Sequence, residues 1–561
     1  MTAGSPIAPQ VPLFALLFGV GLLALSVTLA WNVRKLQKTA ADYYLAGRRV
    51  GVLQNASAIS GDYISAASFL GVSGLTFVLG FEGLYYAFGF FLGFAVVLFF
   101  IAGPLRRFGQ YTIPDFVGGR FHTNVGRAVA VLCVLAISLF YTAPQMLGSA
   151  KVLLILTNLP YPLAVVLVSL SITTYVVLGG MRGATMTQIF QFWVLWWAIF
   201  LVALLVWSDG MSYGRALTDL QHVLATGSSS LEQGYLLPAN RFSLAETLSL
   251  LAALIGGTAG LPHILVRLYT NPDRPRARWS AVLVLVFIGS FYLLTPYLGL
   301  VMRYLLAAQE TGASGTAALS PQVVDWLRFD GQNLAVPAAA MRFGGQLALG
   351  LTVAGALAAV LSTTAGLLVV MSGALGHDLY YHLYNPEASE RTRVLVARGS
   401  TVVMGVVVCL LGLAVERMQI AVLVGLAFAV SASTLFPVLV TGLWWRGMTS
   451  AGATAGMVTG LAGSLLLIFG KGLLPSWLSL ENPGGISMIA GFVAIYVVSK
   501  VHGRVPADVD RFMALVHGTF EERRLRTAGR LKSRRAFTDL RSGGGTPDSP
   551  GGPPERRVIG G

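Results

Sequence analysis

The chain has 561 residues, of which 55% are hydrophobic and only 11% are charged, against about 25% charged in soluble domains, so it is predicted to be a polytopic membrane protein. Its net charge of +15 does not indicate nucleic-acid binding, because the basic residues lie in short connections between apolar runs and in the tail. Cys133 and Cys409 lie in apolar runs without metal-ligand spacing, which argues against a disulfide framework and a zinc site.

Apolar runs of roughly 20 residues, the length that crosses a bilayer, recur thirteen times along the chain. They cover residues 11–33, 50–75, 83–104, 125–150, 161–179, 188–207, 244–266, 280–305, 346–375, 396–415, 419–440, 451–470 and 486–501. We number these spans 1 to 13. The first is expected to be retained as a helix, since no charged region or cleavage site of a signal peptide surrounds it.

Basic residues occupy alternate connections between the spans. They are Arg34, Lys35, Arg48, Arg49, Arg106, Arg107, Arg120, Arg127, Arg182, Arg267, Arg274, Arg276, Arg278, Arg391, Arg393 and Arg446. Because cytoplasmic loops carry the excess of Lys and Arg, the pattern predicts an external N-terminus and a cytoplasmic C-terminus in a bacterial inner membrane.

The predicted organisation follows from these spans and connections. The first span and its loop cover residues 1–49, two five-span halves cover 50–207 and 244–440, two further spans cover 441–501, and a basic tail covers 502–561. The long outer connections 208–243 and 306–345 are expected to be loops with at most a short surface helix. The end of the tail is rich in Gly, Ser and Pro and is expected to be disordered.

Two spans contain interruptions, and they lie five spans apart. Span 2 is interrupted at Ser60-Gly61-Asp62, and span 7 is interrupted between Gly256 and Pro262. Glycine- and proline-broken spans at corresponding places predict an inverted repeat of spans 2–6 and 7–11, with a binding site at the middle of the membrane. The sequence therefore favours a transporter.

A small carboxylate substrate would need hydrogen-bond donors at these breaks. Backbone N–H groups at half-helix N-termini are suitable donors, and the segments Ser65-Ala66 and Gly256-Gly257-Thr258 could supply them. Tyr141 and Gln145 on span 4 are further candidates. The alternative for these two side chains is hydrogen bonding between helices.

Two adjacent hydroxyl side chains, Ser362 and Thr363, interrupt the otherwise apolar span 9. They could place oxygens on a small hard cation. They could also bond to the carbonyl one turn earlier, as Ser and Thr commonly do in membrane helices. Both interpretations remain open from these residues alone.

One acidic and one imidazole side chain fall inside the broken spans. Burying Asp62 costs at least ~2.5 kcal/mol, so this residue could hold a cation or carry a coupling proton, or it could cap the second half of its helix. His263 follows Pro262 near the cytoplasmic end of span 7. A histidine at such a position is more often a packing residue than a ligand, and a coupling or gating role is the alternative.

Four runs in the chain resemble the sodium:solute symporter family, and its cation/acetate symporter branch in particular. They are Gly61–Gly71, Tyr175–Met181, Gly260–Arg267 and His377–Tyr380. The resemblance covers the chain from about Ala41 to Gly460. It implies the leucine-transporter fold, an all-α membrane protein in which spans 2–6 and 7–11 form the two inverted repeats.

The resemblance also implies a sodium site. The family's hydroxyl pair lies sixteen and fifteen residues before the Asp that ends this helix, and counting back from Asp378 leads to Ser362 and Thr363. The matching carbonyls are those of Gly61, Ile64 and Ala359. Family members that use a second ion carry an Asp where this chain has Gln188, which predicts a single coupling sodium.

The expected function is therefore sodium-coupled import of a small monocarboxylate such as acetate, with one sodium ion per substrate. The expected partners are sodium, the carboxylate and the lipid bilayer, with no nucleic acid and no enzymatic reaction. One alternative is proton coupling through Asp62, and another is sodium-coupled transport of a different small organic solute. A membrane signalling protein that has lost transport is the alternative from a different class.

Overall fold

The computed structural model describes residues 13–518, apart from 37–38, 47–49, 110, 158, 226–233, 273, 313–317, 417–419, 471–472, 476–477 and 479. Regular structure within this part of the chain is helical throughout. The polar tail beyond residue 518, expected to end in a disordered segment, lies outside the described residues.

Twenty α-helices follow one another within the described residues. The first ten are α1 (Leu13–Val33), α2 (Ala40–Leu45), α3 (Val52–Tyr63), α4 (Val72–Leu79), α5 (Leu84–Val96), α6 (Ala102–Phe108), α7 (Ile113–Phe121), α8 (Asn124–Thr157), α9 (Tyr161–Ser208) and α10 (Tyr213–Ala225). The others are α11 (Leu244–Gly260), α12 (Pro262–Leu268), α13 (Arg274–Glu310), α14 (Pro321–Gly373), α15 (Glu390–Ala414), α16 (Ile420–Ser433), α17 (Leu435–Trp444), α18 (Ser450–Phe469), α19 (Gly484–Val501) and α20 (Val509–His517).

Shorter helical segments connect several of these helices. The chain is π-helical at Ala67–Gly71, Val97–Ile101 and Ala374–Tyr384, and it forms 3₁₀ turns at Arg34–Leu36 and Gly80–Gly83. The last π-helical segment extends α14 by eleven residues. π-Helices are rare and mostly single turns, often at functional sites, so this segment is an unusual feature.

Ten helices in the described part of the chain are long and apolar enough to cross a membrane, and the bent pair α11 and α12 makes eleven. Several of these helices are longer than one crossing, and two of them each cover two expected spans. The helix over Ala67–Phe108 has 42 residues and that over Tyr161–Ser208 has 48, while a crossing needs about 20. Each divides at a glycine with positive φ, at Gly80 and Gly180. Counting each as two gives the thirteen expected spans.

Span 9 lies at the centre of the molecule. The most apolar 18-residue stretch of the helix over Pro321–Tyr384 is completely buried, whereas the corresponding stretch of α1 is 22% buried. A helix that is apolar on every side belongs in the interior. The central α14 packs against α9, α1, α8 and α4, so residues on it can reach both broken spans.

The outer connection 306–345 differs from the expected loop. Helix α13 continues to Glu310, α14 begins at Pro321, and the helical geometry is interrupted only at Asp330 and Gly345. The side chains of Trp326, Leu327 and Leu334 are buried. The part of the connection that begins at Pro321 therefore packs an apolar helical face over the membrane domain.

Candidate functional site

Span 2 is unwound in its middle. Helix α3 ends at Tyr63, Ile64 has extended backbone geometry, and helical structure resumes at Ala67. The last carbonyls of a helix have no partner within it, so the break makes the carbonyls of Gly61 and Asp62 available. Gly61 lies against α9, where an added Cβ would stand 2.8 Å from the carbonyl oxygen of Gln188. A glycine is needed for this close approach.

The two hydroxyl side chains of span 9 point at this break. Ser362 Oγ lies 2.5 Å from the carbonyl oxygen of Gly61 and 3.1 Å from that of Ala359. Thr363 Oγ1 donates to the carbonyl oxygen of Asp62 at 2.7 Å. Both side chains are fully buried. The structure thus brings Ser362, Gly61 and Ala359 together, places Thr363 beside them, and places Ile64 at the break itself.

Asp62 forms a buried ion pair with Arg267 that the sequence did not predict. Arg267 Nε lies 2.7 Å from Asp62 Oδ2, and neither side chain is exposed. Arg267 was assigned to a cytoplasmic loop, but it is the last basic residue of α12 and lies inside the protein. Its apolar neighbours Ile264, Leu265 and Val266 are the signal that could have placed it in a span.

The ion pair is connected to the hydroxyl helix through Gln188. Arg267 donates to Gln188 Oε1 and, at 3.1 Å, to Thr185 Oγ1. Gln188 Nε2 then donates to the carbonyl oxygen of Ser362 at 2.7 Å. The position at which an acid would serve a second cation therefore holds an amide that links the ion pair to span 9.

Gly366 leaves room for the carboxylate of Asp62. An added Cβ at Gly366 would stand 2.1 Å from Asp62 Oδ1 and 2.4 Å from Oδ2. Asp62 Oδ1 has no hydrogen-bond partner among the described residues. One carboxylate oxygen thus faces Arg267, and the other faces the glycine on the turn of span 9 after Ser362 and Thr363.

Unpartnered polar atoms cluster on the other side of the break. Ser65 Oγ and both ring nitrogens of His263 are buried without a hydrogen-bond partner in the described part of the chain. The ring of Tyr141 packs 5.5 Å from that of His263. Gln145 Oε1 accepts a 2.9 Å hydrogen bond from the Ala66 N–H, so it caps the break. Buried polar atoms are normally paired. Ser65 Oγ and the ring nitrogens of His263 are therefore available to a ligand.

The structure places the break of span 7 later than the glycines suggested. Gly256, Gly257 and Thr258 lie inside α11, where their N–H groups serve the helix. The helix is interrupted at Leu261, because Pro262 starts α12 and lacks an N–H donor. An added Cβ at Gly257 would stand 2.5 Å from the carbonyl oxygen of Phe428. The two glycines are contact points with neighbouring helices and not half-helix N-termini.

Thr258 has a structural partner as well. Its hydroxyl lies 2.9 Å from the hydroxyl of Tyr63, the last residue of α3. Tyr63 also donates to the carbonyl oxygen of Phe90 at 2.8 Å. Thr258 therefore joins the two broken spans to each other and is already occupied by that contact.

The chain resembles known proteins over most of its length. The sequence model of the sodium:solute symporter family matches residues 43–460, which include both broken spans. The chain is 33% identical over 515 residues to YwcA, an uncharacterized symporter of Bacillus subtilis strain 168, with 89% of this chain and 96% of that protein covered.

The fold also has a counterpart among solved structures. A Na⁺-coupled sialic acid symporter, in a substrate-bound outward-open state with a novel Na⁺ site, superposes with a TM-score of 0.69 at 16% identity. The superposition covers 87% of this chain and 98% of that one. The similarity confirms the fold expected from the sequence, an all-α polytopic membrane protein of the leucine-transporter type.

Proposed function

Because this chain belongs to the sodium:solute symporter family, we propose that it imports a small monocarboxylate such as acetate together with one sodium ion. The observation that carries the proposal is the contact between Ser362 and the carbonyl oxygens of Gly61 and Ala359. Transport would proceed by alternating access around the breaks of spans 2 and 7.

The proposed sodium ligands are Ser362, Thr363, Gly61, Ala359 and Ile64. Hydroxyl and carbonyl oxygens suit a hard cation, since they replace its hydration shell in a low-dielectric interior. Ser362 contacts both span 2 and its own helix. A sodium ion there would join span 9 to the broken span 2, so its binding would favour one arrangement of the two helices.

The proposed substrate site adjoins the sodium site. Ser65 Oγ can donate a hydrogen bond, and the neutral His263 ring can donate from one nitrogen and accept at the other. None of these atoms has a hydrogen-bond partner among the described residues, and the ring of Tyr141 lies beside that of His263. A carboxylate accepts such hydrogen bonds. Tight packing favours a small substrate, since Phe428 lies 5.4 Å from the ring of Tyr141. Gly256, Gly257 and Thr258 are not included, because they serve helix contacts.

Proton coupling through Asp62 is the competing mechanism. The ion pair with Arg267 argues against it, because protonation of Asp62 would leave the guanidinium buried without its counter-charge. We assign Asp62 and Arg267 to holding the break of span 2 in place beside Gln188. We likewise propose that Gln188, which bears no charge, limits the protein to one sodium ion.

The proposed orientation follows the basic connections. We propose a bacterial inner-membrane protein with an external N-terminus and a cytoplasmic C-terminus. Because Arg267 is buried, it no longer counts among the basic residues of the cytoplasmic connections, but Arg276 and Arg278 in the same connection are exposed. The positive-inside pattern is therefore retained.

A matched pair of variants tests the proposed sodium site. Ser362→Ala removes an oxygen that contacts two carbonyls, and it is expected to abolish sodium-driven uptake of labelled acetate by proteoliposomes. Thr352→Ala is the control, because Thr352 donates only to Ala348 on its own helix, and uptake should be retained. Sodium-driven uptake by Ser362→Ala that is as high as uptake by Thr352→Ala and by the native protein would contradict the proposed sodium site.

A further inference from the structure

A second cluster of titratable side chains lies at the far end of span 9. It consists of Asp115 on α7 and of His377 and His382 on the π-helical segment Ala374–Tyr384, and one ligand atom of each lies within 4.8 Å of the others. Asp115 Oδ2 is 3.0 Å from His377 Nε2, and Asp115 Oδ1 is 3.3 Å from His382 Nε2. We call these three residues the His-Asp cluster.

The π-helix brings the two histidines together. His377 and His382 are five residues apart, and in an α-helix of 3.6 residues per turn they would point about 140° away from each other. In a π-helix the backbone bond joins residues i and i+5, so such residues lie about one turn apart on the same face. Their ring centroids are 4.7 Å apart.

We propose that the His-Asp cluster binds a divalent transition-metal ion of the zinc class. Two imidazoles and one carboxylate form a ligand set that zinc accepts, with a fourth position left for water. Ligand bonds of about 2.0–2.1 Å in a tetrahedral site place ligand atoms about 3.3 Å apart. One Asp115 oxygen lies 3.0 Å from His377 Nε2 and the other lies 3.3 Å from His382 Nε2. One ligand atom of each residue lies within 4.8 Å of the others, so a small closure of the cluster onto an ion would bring all three to the tetrahedral separation.

The surroundings hold the cluster in position. Arg127 Nη1 lies 2.6 Å from Asp115 Oδ1 and 3.4 Å from Asp378 Oδ1. Thr112 caps α7 by accepting from the Asp115 N–H, and its hydroxyl donates to Asp378 Oδ1 at 2.8 Å. Such partners fix the orientation of metal ligands.

The cluster is also within reach of solvent. His382 keeps 33% of its side chain exposed, which provides an entry path.

Metal binding would join two separate parts of the fold. Asp115 belongs to the short helix between spans 3 and 4, while His377 and His382 extend the helix that carries Ser362 and Thr363. His377 is fifteen residues beyond Ser362, about 22 Å along a helix. The His-Asp cluster is therefore a separate site from the proposed sodium site, and the proposal does not depend on the transported substrate.

The test is zinc titration of the purified full-length protein, freed of any affinity tag, by calorimetry. We expect one Zn²⁺ per chain in the native protein and at least a tenfold weaker affinity in His382→Ala and in His377→Ala. His122→Ala is the matched control, since His122 ends the same helix α7 with a 61% exposed side chain paired to Asp508. Its affinity should equal that of the native protein.

Further measurements separate loss of the ligand from loss of the fold. Each variant must elute as the native protein does and unfold at a similar temperature without metal. The visible spectrum of Co²⁺ bound to the native protein should show the intense bands of four-coordination, which needs no variant. Equal zinc affinity in His382→Ala and the native protein, or equally tight binding of Mg²⁺, would overturn the proposal and leave a hydrogen-bonded cluster only.

Discussion

Arg267 makes contacts that no neighbouring side chain could replace. It donates to Asp62 on span 2 and to Thr185 and Gln188 on α9, and it is completely buried. The planar guanidinium offers five donors in a fixed arrangement, which lysine does not. At the scale of single residues, this side chain holds the break of span 2 against α9.

Removing Arg267 alone is predicted to be strongly destabilising. Arg267→Gln leaves Asp62 as an uncompensated buried charge, at a cost of about 3–5 kcal/mol. A marked fall in the thermal unfolding temperature of the purified protein in detergent is expected. The exposed Arg278 provides the control, since Arg278→Gln should leave that temperature unchanged.

A double variant distinguishes the charge effect from simple loss of packing. Asp62→Asn with Arg267→Gln removes both charges, and it should recover much of the stability that Arg267→Gln loses. If the loss of stability in the double variant equals the sum of the losses in Asp62→Asn and Arg267→Gln, the two residues do not interact as the structure indicates.

At the scale of helices, the break between spans 5 and 6 positions the residues that contact the ion pair of Asp62 and Arg267. Spans 5 and 6 meet at Gly180, where φ is 46° and ψ is −151°. Glycine adopts this backbone conformation far more readily than other residues. The turn brings Thr185 and Gln188 to the ion pair, because both follow it by less than three helical turns. An added Cβ at Gly180 would also stand 2.9 Å from the carbonyl oxygen of Tyr43.

Gly180→Ala is therefore predicted to lower the free energy of unfolding by about 1–3 kcal/mol. Gly183→Ala is the matched control, because its Cβ would meet Ala30 at an ordinary 3.5 Å and alanine favours the helix. Thermal unfolding of both variants in detergent measures the difference. A Gly183→Ala variant as unstable as Gly180→Ala would contradict the role of backbone conformation.

The sequence predicted helices better than it predicted their interruptions. Long apolar runs identify spans because every backbone group in a bilayer must be paired internally. The break of span 7 was placed at Gly256 to Pro262, but α11 continues through the glycines, since packing against α16 supports them. The outer helical stretch 321–344 is longer than the short surface helix expected from the sequence, because its buried face is visible only against the spans it covers.

Prediction of the proposed site from the sequence was limited in a similar way. Ser362 and Gly61 are 301 residues apart, and only the family resemblance connected them before the structure did. Arg267 was read as a loop residue, because the positive-inside pattern treats every basic residue between two spans alike. The His-Asp cluster was not predicted, since His377 and His382 share a face only in a π-helix.

At the scale of the whole molecule, the proposed stoichiometry determines the charge carried per cycle. One sodium ion with one monocarboxylate would carry no net charge, and Gln188, proposed to limit the protein to one sodium ion, is itself neutral. A membrane potential contributes about 2.3 kcal/mol per charge per 100 mV. The sodium gradient alone is therefore expected to drive accumulation.

Exchange of the driving ion gradient distinguishes sodium coupling from proton coupling. Proteoliposomes of the native protein would be given labelled acetate with an inward sodium gradient or an inward proton gradient, each at zero potential and at 100 mV. Accumulation with sodium only, equal at both potentials, is the predicted result. Accumulation with protons only would contradict the sodium site and return the coupling role to Asp62.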